Sequence, residues 1–361
     1  MSSHLRRRGA VLPAVARFHG EEARGDSSLC RERARMARRL GVLVGSSCRG
    51  VAVLLPVHDS DRNHPMQRTR GHRHAWWRAR WSRAFDQGRS AIINRRGPTM
   101  ALGISMIMLT ADSPIRVGDV QRQLAETCPD FPVITEATEE EGVVSLTLGD
   151  SFVIMARMPA PIPWSDLEGP CATSILWPNA QDEVKTHKVH WIITVNGDLH
   201  PIAISKLLTQ ATAAAMSACT SAIGVYWGNA TLVVPRNIFI DFAKDVLPLG
   251  PPLPIWVDFR IGKDSQKSSA GFTSGMKALG HMELESQQSP EPPGELRDRL
   301  MSLAGYVLEH GPVIRDGDTI GEDAQERIRV VYSDSVFGHE SKVMRLVYEQ
   351  ASAKKPWWKM W

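Results

Sequence analysis

The distribution of arginine divides this chain near residue 100 and limits how much of it can form a packed core. Residues 1–99 contain 21 Arg and no Lys against 7 acidic residues, whereas residues 100–361 contain 22 basic and 32 acidic residues. The two segments therefore carry formal charges of +14 and −10. Neither a helical nor a strand period of apolar residues persists within residues 1–99. The sequence thus predicts that the folded part lies in residues 100–361.

Residues 1–99 are open to three interpretations. A GC-rich stretch translated outside its natural frame yields many Arg and no Lys, so we favour a native start at Met100 preceded by a largely disordered, mistranslated segment. A genuine basic arm would instead bind nucleic acid, because Arg contacts phosphate and residues 70–81 interleave Arg with Trp. A targeting segment is the third interpretation, since basic residues precede an apolar run over residues 40–57 that Arg49 interrupts.

Beyond residue 100 the apolar periodicity predicts an α+β fold with sheets covered by helices. Residues 100–230 follow the order β-α-β-β-α-β of a ferredoxin-like, split βαβ half, and residues 231–348 repeat it less clearly. Residues 349–361 form a tail, interpreted as a frayed end or, because it mixes Lys with Trp, as a membrane-surface anchor. The predicted elements are strands over 103–110, 143–148, 152–158, 189–195, 255–261, 282–285 and 327–333, and helices from Val117, Pro201, Pro235 and Gly294.

Several classes of protein are excluded by simple counts. No run of 18 apolar residues is present to form a transmembrane helix. The 5 cysteines have no repeating spacing, which excludes a disulfide scaffold and a zinc ribbon. The sequence contains no phosphate-loop, zinc-protease or nucleophile-elbow motif. We therefore predict no catalytic residue, no metal site and no cofactor.

Four local patterns remain as candidates. His187 and His190 are three residues apart, but in a strand this spacing places them on opposite faces, which argues against a shared metal. Residues 316–318, Asp-Gly-Asp, open like a calcium loop but lack its later ligands, so a turn is favoured. Residues 271–280 contain three glycines with Thr, Ser and Lys, which would suit an anion cradle, although a tight connection is favoured. The acidic run 139–141 is predicted to be a solvated hairpin edge.

Four short motifs occur in order along the folded part of the chain. They are Tyr-Trp-Gly at 226–228, Trp-Val-Asp-Phe-Arg at 256–260, Gly-Met-Lys-Ala-Leu-Gly at 275–280 with Glu283 and Glu285, and Asp-Gly-Asp-Thr-Ile-Gly at 316–321. Together they resemble a bacterial family, the domain of unknown function numbered 4261. The resemblance extends over about residues 100–348 and does not reach into residues 1–99. It implies a bacterial, cytoplasmic protein related to small intracellular proteins found beside secreted toxin systems, and it brings no established activity.

The leading functional hypothesis is a soluble, non-enzymatic module that binds another protein, for example as an immunity protein. The charge of −10 over residues 100–361 disfavours nucleic acid as the partner of this region. One alternative is an enzyme or small-ligand-binding protein with a site around Arg260, Lys277 and Asp316; another is nucleic-acid association through residues 1–99. The oligomeric state is not predicted. The candidate binding surface comprises Trp227, Arg260, Thr273, Lys277, Asp316 and Asp318.

Overall fold

A computed structural model describes residues 101–265, 268–321 and 326–348. The interpretations of residues 1–99 and of the tail at 349–361 lie outside these described residues. Within them the chain forms two β-sheets with helices packed against them, which confirms the predicted α+β class. No helix in the described ranges is long and apolar enough to cross a membrane.

The first sheet contains seven strands among the described residues. They are β1 (Ala101–Leu109), β2 (Glu136–Glu140), β3 (Val143–Leu148), β4 (Ser151–Met158), β5 (Val189–Gly197), β6 (Ala222–Trp227) and β7 (Leu232–Pro235). Their spatial order is β2-β3-β4-β5-β1-β6-β7, with every neighbouring pair antiparallel. The helices connected with this sheet are α1 (Val117–Thr127), α2 (Trp164–Thr173), α3 (Ala180–Glu183, followed by a 3-10 turn, Val184–Thr186) and α4 (Pro201–Ala218).

The elements β1, α1, β4, β5, α4 and β6 form the predicted ferredoxin-like core, with the spatial order β4-β5-β1-β6. The strands β2, β3 and β7 extend this core at its two edges. Helix α4 packs closely on the sheet because its middle is rich in alanine and because Gly103 of β1 lies beneath it. A Cβ atom at Gly103 would lie 2.9 Å from Cγ2 of Ile204, so glycine allows this close approach.

Helical segments lead into the second sheet. They are α5 (Arg236–Asp241), which continues as a π-helical turn (Phe242–Val246) and a 3-10 turn (Leu247–Leu249), and then α6 (Leu253–Trp256). The strands are β8 (Asp258–Lys263), β9 (Ser269–Ser274), β10 (Leu284–Ser289), β11 (Thr319–Ile320), β12 (Ile328–Ser333) and β13 (Val343–Tyr348), with helix α7 (Pro293–His310) between β10 and β11. Among the described residues their spatial order is β11-β12-β13-β10-β9-β8.

The second sheet differs from the predicted ferredoxin-like repeat. Strands β10 and β13 are parallel neighbours, whereas every neighbouring pair of the first sheet is antiparallel. In the described residues β12 and β13 are joined by a connection without a helix, so α7 is the helix that covers this sheet. Helix α7 buries the predicted apolar stripe, which consists of Leu296, Leu300, Leu303, Ala304, Val307 and Leu308.

The strand predicted over residues 255–261 begins later than expected. Residues 253–256 form the helical turn α6, and β8 starts at Asp258. Pro254 suits the first turn of a helix, and this helical turn extends through Ile255 and Trp256.

Candidate functional site

The candidate anion cradle at residues 271–280 holds a carboxylate of the chain itself. Glu283 is 4% exposed, and its Oε2 accepts a hydrogen bond from the Thr273 hydroxyl at 2.7 Å. Its Oε1 accepts from the backbone N–H groups of Gly275 at 2.8 Å and Lys277 at 3.0 Å. The Thr273 hydroxyl in turn accepts from the N–H of Leu284 at 2.8 Å. These groups are therefore already bonded to one another, and the cradle stabilises a turn between β9 and β10.

The cradle requires glycine at residue 275. Its φ of +124° is a conformation that side chains rarely adopt. A Cβ atom there would lie 2.5 Å from the carbonyl oxygen of Trp256, which is a backbone atom that cannot move aside easily. The tight-connection and anion-cradle interpretations of this segment thus describe the same structure.

Arg260 lies on the edge strand β8 and is bonded within the fold. Its Nε donates to Oδ2 of Asp258 at 2.6 Å, and its Nη2 donates to the Thr231 hydroxyl at 3.4 Å. The guanidinium also lies over the ring of Phe272, 5.9 Å from the ring centroid. Burial raises the pKa of Asp258, and the neighbouring Arg260 only partly opposes that shift. Arg260 therefore compensates a desolvated carboxylate.

Asp316 and Asp318 form a turn before β11. Oδ2 of Asp318 accepts from the backbone N–H of Arg315 at 2.8 Å, and Oδ1 of Asp316 accepts from the N–H of Tyr332 at 2.8 Å. The first bond lies within the turn, whereas the second joins the turn to β12. Both carboxylates are therefore bonded within the fold, and residues 316–317 form the turn that the sequence analysis favoured.

The six residues of the predicted binding surface do not converge. Trp227 is 1% exposed and packs against Phe239 with ring centroids 5.7 Å apart, so it belongs to the core. Thr273 is buried in the cradle, and Lys277 contributes its backbone while its side chain is exposed. Arg260 lies on β8 and Asp316 precedes β11, at opposite edges of a six-stranded sheet. Five strand spacings of about 4.8 Å separate these edges by roughly 24 Å.

A second buried carboxylate, Glu285, anchors the connection between β12 and β13. It is fully buried, and it accepts from the Ser335 hydroxyl and from the Val336 N–H at 3.2 Å. Arg345 on β13 approaches it to 3.7 Å. The Ser335 oxygen also accepts from three successive backbone N–H groups, those of residues 337–339. Glu285 belongs to the motifs quoted for the family resemblance, but its partners are distant in sequence.

The two histidines serve the fold. His187 accepts the N–H of Ile162 at Nε2, at 2.8 Å, and its Nδ1 contacts the carbonyl of Val184. His190 contacts the carbonyl of Ala160 through Nδ1 at 2.7 Å. Burial lowers the pKa of both rings, which favours the neutral forms. They tie the proline-rich loop after β4 to the sheet.

Glu139 differs from the predicted solvated edge. Its Oε2 accepts from the backbone N–H of Val117, at the start of helix α1, at 2.9 Å. The same carboxylate pairs with Arg116 at 2.5 Å. A carboxylate at a helix N-terminus satisfies a free N–H and interacts favourably with the helix dipole. Glu139 therefore fixes α1 to β2, while Glu140 and Glu141 remain exposed.

The first sheet carries a surface that the sequence analysis missed. We define the open face as Val143 of β3 together with Phe152, Ile154, Ala156 and Met158 of β4. Cross-strand register pairs Val143 with Ala156, and the alternation of β4 places the other residues on that same face. Val143 is 39%, Ile154 36% and Met158 40% exposed.

The rest of this side of the sheet is covered. Trp177 reaches it, because a Cβ atom at Gly224 of β6 would lie 2.4 Å from the Trp177 ring. Ile192 of β5, which pairs directly with Ala156, is only 8% exposed. The cover therefore ends between β5 and β4. The sequence pattern of the hairpin does not predict where the covering layer ends, because alternation of apolar residues does not specify which loops cover a sheet.

Among the described residues no group of three or more His, Cys, Asp or Glu is arranged to hold a metal ion.

A protein-family model matches part of the second sheet. Residues 272–347 match the family model described as Domain of unknown function (DUF4261). The match confirms the resemblance for this part of the chain and includes the cradle, Glu285 and the turn at Asp316. No curated protein and no solved structure shows a significant match to the chain. Arg260, Trp227 and the open face lie outside the DUF4261 range.

Proposed function

We propose that this chain is a non-enzymatic module that binds another protein in the bacterial cytoplasm. The observation that carries the proposal is that charged side chains of the second sheet are bonded within the fold. Glu283 occupies the candidate anion cradle at residues 271–280, and Arg260 compensates the buried Asp258. The net charge of −10 over residues 100–361 favours a basic partner surface.

The resemblance adds a specific form of this function. An immunity-type protein neutralises a basic toxin domain by covering it, and an acidic surface would suit that task. Binding of this kind requires an accessible surface and no reacting groups.

The enzyme alternative has less support. It needs Arg260, Lys277 and Asp316 to converge on one substrate, because catalysis depends on groups held together around the reacting atoms. Arg260 and Asp316 instead lie at opposite edges of the second sheet, roughly 24 Å apart by strand spacing. The nucleic-acid alternative depends on residues 1–99, which lie outside the described residues.

Capture from the native host tests the proposal. The full chain carries a C-terminal tag, and mass spectrometry identifies the bait and its companions before and after nuclease treatment. We expect one protein companion in a constant ratio to the bait that survives nuclease. Companions that disappear with nuclease and with deletion of residues 1–99 would instead support the nucleic-acid alternative.

A further inference from the structure

We propose that the open face of the first sheet is the docking surface for a basic, amphipathic helix of the partner protein. The inference rests on the proposed function, because it specifies the partner of a protein-binding module. The proposed helix has apolar side chains on one side and Lys or Arg along its flank.

Uneven burial on the two sides of β4 is the first observation. Val153 and Met155 point towards the helices and are fully buried, whereas Ile154 and Met158 point the other way and are 36% and 40% exposed. A sheet face with apolar side chains is ordinarily covered by another layer of structure. Ser145 and Thr147 of β3 share this face, where they pair with Ile154 and Phe152. Several exposed apolar side chains grouped on one face mark interaction surfaces more often than single exposed residues do.

Acidic side chains border the open face on the same side of the sheet. Strand register places Glu140 beside Val143, and Glu136 lies in the row that leads through Thr147 to Phe152. Glu136 and Glu140 are both exposed. Arg157 alternates onto the other side of β4 and is bonded to Asp112. A cationic flank on the occupant would therefore complement this border.

The dimensions favour a helix. Phe152 and Met158 are six residue steps apart, which corresponds to about 20 Å of strand. A helix of about 13 residues has this length, at 1.5 Å per residue. The exposed apolar side chains lie on the face of the sheet and not along its edge. A strand added beside β2 would leave these side chains uncovered. A helix lying along β4, on the face formed by β3 and β4, would bury them.

Site-specific photo-crosslinking in the native host tests the inference. The full chain carries p-benzoylphenylalanine in place of Ile154, in the open face. A matched control carries it in place of Gln121, which is exposed on helix α1 on the other side of the sheet. A third variant carries it in place of Lys277, on the second sheet. Mass spectrometry of each adduct reads the sequence of the crosslinked segment.

We expect an adduct from position 154, absent from position 121, to a segment of another protein with apolar residues at helical spacing and flanking Lys or Arg. The double variant Glu136→Lys and Glu140→Lys lowers its yield about tenfold, since each reversal replaces attraction by repulsion. The matched pair Glu309→Lys and Glu340→Lys, both exposed acids outside the first sheet, leaves the yield unchanged.

Other outcomes overturn the inference in different ways. An adduct with a second copy of this chain, or with a segment that is acidic or lacks helical spacing, contradicts the proposed occupant. An adduct from position 277 but none from position 154 places the partner elsewhere and leaves the proposed function intact. No adduct with another protein from any position, together with no companion in the capture experiment, contradicts both.

Discussion

Removing the carboxylate of Glu283 is predicted to destabilise the second sheet. Glu283 is 4% exposed and accepts hydrogen bonds from Thr273, Gly275 and Lys277. In Glu283→Ala the buried N–H of Gly275 loses its partner, which costs about 1–3 kcal/mol. Loss of the bonds from the partly buried N–H of Lys277 and from the Thr273 hydroxyl adds about 1 kcal/mol each. We therefore expect Glu283→Ala to lower the free energy of unfolding by about 3–5 kcal/mol.

Glu283→Gln separates hydrogen bonding from charge. Its amide oxygen can still accept from Gly275 and Lys277, so the expected loss is smaller, about 1–2 kcal/mol. Glu309→Ala, at an exposed position on α7, serves as the control and should change stability by less than about 0.5 kcal/mol. Urea unfolding of the full chain, followed by two spectroscopic probes, gives these values. A Glu283→Ala variant as stable as the Glu309→Ala control would refute the reasoning.

Three further predictions follow from close contacts and burial. Gly275→Ala should lower the free energy of unfolding, measured in urea, by about 2–4 kcal/mol, because the new methyl group meets a backbone carbonyl at a positive φ. The control Gly262→Ala should have little effect, because no atom lies within 4 Å of the added Cβ. Burial raises the pKa of Tyr226 to about 12, so above pH 10 the folded chain keeps a phenol proton that the unfolded chain loses. The free energy of unfolding should therefore fall as the pH rises from 10 to 12. Unfolding measured across this pH range should show a smaller fall for Tyr226→Phe. Burial also raises the pKa of the Cys171 thiol to about 11, so iodoacetamide at pH 8 should label Cys171 only after unfolding. Labelling of Cys171 in the folded chain at the rate of a free thiol would contradict this.

Periodicity predicts the elements that are buried continuously or along one stripe. The apolar run in β1 indicates a central strand, and β1 lies between β5 and β6. The stripe of α7 and the alanine-rich α4 are predicted for the same reason, since their apolar spacing records which side faces the core. Strand β2 is missed because Glu136–Glu140 has no apolar alternation; it forms through pairing with β3 and through the bond from Glu139 to helix α1.

The candidate site shows a different limit of sequence reasoning. The glycines and Thr273 indicate that residues 271–280 can surround an anion, and they do. That the anion is Glu283 depends on how the turn after β9 folds back, which residue spacing alone does not specify. Likewise, Asp316 and Arg260 both resemble site residues in the sequence, but strand order places them at opposite edges of one sheet. Strand order depends on long-range pairing, which local patterns do not encode.

Native mass spectrometry of the tagged chain, purified gently from its native host, tests the central claim most directly. The account predicts an assembly that contains this chain and one other polypeptide in a fixed ratio, and that dissociates into the two when salt is raised, because an acidic surface contributes to binding. The chain alone, or the chain with bound nucleic acid or a small molecule and no second polypeptide, would contradict it.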